Sequence, residues 1–230
     1  MANLALTYMN QGRWAEAESL FVQVMETSSR VLGSEHPDML TSMANLASTY
    51  MNQGRWAEAE SLEVQVMETR KRVLGSEYPD MLTSMSNLAS TYMNQGRWAE
   101  AESLEVQVIE TRKRVLGSEH PDTLTSINNL ATTYSKQGRW AEAESLGVQV
   151  METSSRVLGS EHPDTLTSMN NLAVTWETQG RLDDALDLMG QCVRLQQKVL
   201  GPDHPYTRSS LSMLHKWQEA SIITMAQTMQ

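Results

Sequence analysis

The chain repeats itself every 42 residues, and that period constrains its fold more than any other feature. Residues 43–84 and 85–126 differ at only four positions, and Pro37, Pro79, Pro121, Pro163 and Pro205 keep the spacing without an insertion. A supersecondary unit of this size cannot bury its apolar face alone, so neighbouring copies must stack. The frame gives repeats 1–42, 43–84, 85–126, 127–168 and 169–210. The fifth keeps 18 of 42 residues of the fourth, and 211–230 resembles only the start of another, which predicts a C-terminal capping helix on one continuous array spanning 1–230. Repeat one lacks the D-x-L-T-S turn that precedes the others, so the chain is expected to be a piece of a longer protein of signalling or cargo-adaptor type.

Within a repeat, Leu40, Met43, Leu46, Ala47 and Tyr50 recur at three-to-four spacing, the mark of one apolar helical face. Pro37 suits a first helical turn, Asp38 favours the positive end of the helix dipole, and Gly54 permits a left-handed closing residue. This is helix A. Trp56, Ala59, Leu62, Val66 and Val73 then predict a second stripe on a longer helix B, roughly 20 residues long and closed by Gly75 in the same way. The small Ala47 and Ala59 allow A and B to approach closely.

The string N-L-A-x-x-Y, then Gly54, then W-x-E-A-E and the inter-repeat proline, resembles the tetratricopeptide repeat in its 42-residue form. Similar repeats, with N-N-L-A and L-G-x-x-H-P, occur in kinesin light chains and in the C-terminal arrays of fungal NB-ARC and NACHT proteins. The likeness covers essentially the whole chain. It implies an all-α fold, a right-handed α-solenoid of tandem antiparallel helix pairs with helix A lining a concave surface. One helix B position departs from relatives, which carry an apolar or small residue there; here it reads Phe21, Glu63, Glu105, Gly147 and Met189.

Opposite the apolar stripe of helix A lies a small polar row, Thr41, Asn45, Ser48 and Asn52, repeated as Ser90 and Asn94. Its central position gives an amide ladder of Asn3, Asn45, Asn87, Asn129 and Asn171, with further amides at Asn128 and Asn170. The resemblance implies that the asparagine before the leucine faces bound peptide. An amide offers both a donor and an acceptor to a peptide backbone, and rungs about 10 Å apart would match an extended strand at about every third residue. Relatives that grip a C-terminal carboxylate use Lys or Arg on this face. Thr41, Thr83 and Thr125 stand at the nearest turn here, so no carboxylate clamp is expected.

Other groups are read against chemistry. Arg70, Lys71 and Arg72, with their copies Arg112, Lys113 and Arg114, form the one basic cluster, replaced by serines in outer repeats. They could hold an acidic segment, but complementing the helix dipole and pairing Glu68 with Arg72 is the favoured reading. His36, His120, His162 and His204 sit about a repeat apart, too far for one metal ion, and are expected to shape the inter-repeat turn. Cys192 reads as a buried inert thiol, Trp14, Trp56, Trp98 and Trp140 as packing residues at the start of helix B, and the 16 methionines as compliant seams.

A net charge of -10 and a pI near 5.0 argue against nucleic acid, and no apolar run spans a bilayer. One cysteine and no glycosylation sequon suit the cytoplasm. The sequence thus predicts a non-catalytic scaffold for a protein or extended peptide, without cofactor or metal. Self-association through exposed repeat ends, giving a homo-oligomer, is the alternative. An enzyme ranks last, because repeats this uniform leave no unique cleft.

Overall fold

The computed structural model describes residues 1–228, with side chains described through Ile222. Among these residues the protein is all-α, eleven helices and no strand. They are α1 (Ala2–Asn10), α2 (Trp14–Leu32), α3 (Pro37–Asn52), α4 (Trp56–Leu74), α5 (Pro79–Asn94), α6 (Trp98–Val115), α7 (Pro121–Lys136), α8 (Trp140–Val157), α9 (Pro163–Thr178), α10 (Leu182–Val199) and α11 (Pro205–Thr228). Odd-numbered helices are helix A and even-numbered ones helix B. Of the segment expected as a cap, 211–230, residues up to Thr228 continue α11, one helix that starts at Pro205, and the last two lie outside the described residues.

The chain divides into two compact units at Thr111. In the N-terminal unit, consecutive helices from α1 to α5 pack as antiparallel neighbours, and α1 also touches α3. Its core runs from Ala5, Ala17, Phe21 and Leu46 through Met39, Leu40, Met43 and Val66 to Met81, Leu82, Met85 and Val108. In the C-terminal unit, α7 to α11 pack in chain order and α7 touches α9. Leu166, Met169, Leu172, Leu188, Met189 and Cys192 fill the centre of that core.

Each A-to-B corner is a Schellman closure. After α3, the Arg55 N–H donates to the Tyr50 carbonyl (2.9 Å) and the Gly54 N–H to Met51 (3.0 Å), with Gly54 at φ 76°. The B-to-A turn is different. Gly75 closes α4 at φ 95° and ψ 166°, again a positive φ that favours glycine but with an extended ψ and no Schellman pair of hydrogen bonds, which corrects the expectation of two identical closures. Next comes His36, His120 or His162 in extended conformation, whose Nδ1 accepts the N–H of Asp38, Asp122 or Asp164 (3.2 Å each). These histidines are N-caps.

The buried face of helix B is rotated from the predicted stripe. In α4 the buried residues are Ala59, Glu63, Val66 and Arg70, while Trp56 is 41% exposed and Val73 46%. The two polar members hid this row from a reading based on hydrophobicity. Trp98 and Trp140 are 40% and 42% exposed, so the tryptophans start helix B as expected but pack only in part.

Candidate functional site

The asparagine ladder runs along the helix A elements, one residue per repeat. Asn45 and Asn87 in the N-terminal unit, and Asn129 and Asn171 in the C-terminal unit, are half-buried, and Asn3 is exposed. Among the described residues, the side-chain amides of these four half-buried asparagines make no hydrogen bond to protein; the Asn45 and Asn171 backbone carbonyls serve Thr49 and Thr175. A half-buried amide has surrendered part of its water without gaining a partner. It is a donor and an acceptor waiting to be used.

The flanking residues are spent differently. Asn52 and Asn94 donate from Nδ2 to the carbonyls of Ser48 and Ser90 (2.8 and 2.9 Å), and Ser48 and Ser90 donate to Ala44 and Ser86. Thr83, Thr125 and Thr167 fold back onto the carbonyls of Pro79, Pro121 and Pro163, while Thr41 is exposed. The paired side chains smooth the face and leave the ladder asparagines as its half-buried unpaired groups.

Asn128 and Asn170 do not share that face. They precede the ladder asparagine by one residue and therefore point about 100° away, into the seam between successive A helices. Asn128 is buried with Oδ1 unpartnered, and Asn170 Oδ1 accepts the Ser210 hydroxyl (2.9 Å).

The basic cluster is dismantled. Arg70 is buried, its Nη1 donating to the Asp80 carbonyl (3.1 Å) and Ser84 Oγ (2.9 Å); Arg112 does the same to Asp122 (3.0 Å) and Ser126 (2.6 Å). Burial lowers both guanidinium pKa values, which the nearby Asp80 and Asp122 oppose. Lys71 and Lys113 remain exposed. Arg72 pairs across the repeat boundary with Glu35 (2.8 Å) rather than along its own helix with Glu68. The three residues point in different directions because a helix advances 100° per residue, so they form no patch.

A second recurrent arrangement escaped the sequence reading. Arg55 lies 4.1 Å over the Tyr50 ring and donates to Glu18 of the preceding repeat (2.8 Å), to Gln53 and to Glu58; Gln53 also donates to Glu18. Arg97 repeats this with Tyr92, Gln95, Glu60 and Glu100, and Arg181 with Trp176, Glu144 and Asp184. Partial burial works to raise the Glu18 and Glu60 carboxyls, but the hydrogen bonds they receive hold both below the usual range. The signal was present as the invariant G-R-W/L following each tyrosine or tryptophan. Its partners are about 37 residues apart and thus invisible to local patterning.

Cys192 is buried, its thiol pushed up to about 12 by desolvation, and donates to the Leu166 carbonyl (3.3 Å). Among the described residues, no three His, Cys, Asp or Glu groups gather as a metal site, and no helix is long and apolar enough to cross a membrane.

A C-terminal cavity of about 450 Å³ is lined by Leu166, Asn170 and Asn171 of α9, Gln196 of α10, and Ser210 and Met213 of α11. A smaller one, about 90 Å³, lies one repeat earlier beside Asn128, Asn129 and Ser154.

A family model described as tetratricopeptide repeat matches residues 1–72, 43–113, 80–153 and 128–198. No curated protein sequence matches the chain. Two crystal structures of nearly identical TPR-like repeats from a kinesin light chain-like protein of Podosopora anserina, one of them a single-substitution variant, are similar to it. The variant is 37% identical with a TM-score of 0.70, and the other 36% with 0.68, each covering 86% of this chain and 93% of that one. BtubC (BKLC) from P. vanneervenii shares the fold at 21% identity and a TM-score of 0.71, with 90% of this chain and 84% of that one covered.

Proposed function

The chain belongs to the tetratricopeptide repeat family, and from that premise we propose that it is a non-catalytic scaffold holding an extended partner segment against its helix A faces. Proteins of this fold are typically protein-interaction scaffolds, and the P. anserina relatives are kinesin light chain-like. The observation that carries the reading is the unpaired amide of Asn45 and Asn87 in one unit and of Asn129 and Asn171 in the other. Each offers a backbone-like donor and acceptor on a face where Ser48, Asn52, Thr83, Ser90, Asn94, Thr125 and Thr167 are satisfied internally. A segment lying along such a face would exchange its water for these amides without leaving a charge buried.

A random-peptide display library panned on the immobilised chain supplies the probe. Peptides enriched on the wild type should lose about tenfold or more in affinity on the Asn45→Ala/Asn87→Ala or the Asn129→Ala/Asn171→Ala variant, the order expected when hydrogen bonds to an otherwise dry face are removed. Undiminished binding to both double variants overturns the reading.

A further inference from the structure

The cavity of the C-terminal unit has an internal template. One helix B position, repeated every 42 residues, reads Ser28, Arg70, Arg112, Ser154 and Gln196. At Arg70 and Arg112 the side chain reaches from helix B under the start of the following helix A. Its guanidinium binds a backbone carbonyl and a serine hydroxyl there: Asp80 and Ser84 for Arg70, Asp122 and Ser126 for Arg112. Two repeats after Arg112 the register returns the shorter Gln196, and it borders a cavity of about 450 Å³, well inside the range of ligand sites. The intermediate Ser154 borders the smaller cavity, in the same register.

The wall of the larger cavity keeps the serine acceptor the template uses. Ser210 stands where Ser126 stands, its lone pairs free because its proton is given to Asn170 Oδ1. Gln196 is 4% exposed, lines the cavity and has its Oε1 without a hydrogen-bond partner. A buried acceptor left unmade costs about 1–3 kcal/mol, so the site is held short of satisfaction until a donor arrives. Where Asp122 supports Arg112 with charge, the register brings Tyr206, an aromatic ring of the kind over which Arg13, Arg55, Arg97 and Arg139 already lie in this protein. Asn171, a rung of the ladder, lines the same cavity, which therefore opens on the face assigned to the partner.

We propose that this cavity receives an arginine side chain of the bound segment, entering from outside to take the place that Arg70 and Arg112 fill from within. The guanidinium donates to Gln196 Oε1 and Ser210 Oγ and lies against Tyr206. The chain's net charge of -10 favours a cationic visitor. The inference rests on the helix A reading for the direction of entry, and it names the residue chemistry that such a segment must carry.

The test is a nuclear magnetic resonance titration of the labelled full chain with N-acetyl-arginine amide, against the uncharged isostere N-acetyl-citrulline amide. Arginine should give saturable shifts at the Gln196 and Asn170 carboxamides and the Ser209 and Ser210 amides, with citrulline weaker by about tenfold, the order set by a charge-assisted donor. Gln196→Arg, which copies the arrangement of the second and third repeats, should remove binding, with its fold checked by circular dichroism; Ser210→Ala should weaken it several-fold. Absent saturation, equal binding of citrulline, or binding that survives Gln196→Arg overturns the proposal. Display peptides that need Asn171 but ignore Gln196→Arg refute the cavity alone, whereas arginine binding beside unchanged peptide capture by both ladder variants refutes the groove alone.

Discussion

Glu63 sits 3% exposed on the buried row of α4 with both carboxyl oxygens unpartnered, in the position Phe21 fills in the first repeat. Burial pushes its pKa up to about 7 and Glu60 adds to this, while the Thr91 hydroxyl opposes it only in part, its proton being given to Met51 Sδ (2.8 Å). An ordinary glutamate titrates near about 4.3. Between these values the folded protein keeps a proton that the unfolded chain has released. The stability is therefore complete below about pH 4 and is lost as pH rises through about 7, by on the order of 3 kcal/mol. Glu63→Gln should flatten that slope; urea denaturation at about pH 5 and about pH 8 reads it, and an unchanged difference between the two contradicts the assignment. The same layer holds Gly147, where an added Cβ would lie 3.1 Å from Leu172 Cδ1, so the leucine of the next helix has taken the space a larger side chain fills elsewhere. Which residue types occupy this layer was readable from the repeat alignment; that the layer is buried was not, because Glu63 and Glu105 argue against it by composition.

Helix boundaries were the most legible part of the fold, since Pro, Gly and the apolar period mark them chemically. What the termini do was legible only in part. His36, His120 and His162 cap their helices through Nδ1, but Tyr78 in the same position leaves α5 without a side-chain cap. Tyr78→His should therefore stabilise the protein by about 0.5–1 kcal/mol, seen as a higher melting temperature; an unchanged or lower one means that the histidine cap contributes nothing. At the opposite corner, the Schellman closure sets residue C″ over residue C3, a contact that is usually apolar. Here Arg55 over Tyr50 turns it into a cation–π pair and leaves the guanidinium edge free for Glu18 of the preceding repeat. Each such exposed pair contributes little by itself, but the pattern ties helix to helix wherever it recurs.

Across the molecule, stability follows how much each helix buries. In α1 only Ala5 is buried, whereas α9 buries seven residues, among them Leu166, Leu172 and Met169. Native-state hydrogen exchange should find α1 amides at least about tenfold faster than those of α9, and equal protection would refute this gradient. The same dependence on neighbours explains what could be read in advance. The 42-residue period, the helix pairs and the family follow from the sequence alone, because each is a local pattern of residue size, polarity and turn chemistry recurring along one chain. Three things were decided only in three dimensions: the rotated buried row of helix B, the burial of Arg70 and Arg112, and the cavity that Gln196 borders. In each the outcome depends on which group from a neighbouring helix meets the side chain. A guanidinium is buried when a carbonyl and a hydroxyl wait for it, and a cavity forms where three helices meet without filling the space between them.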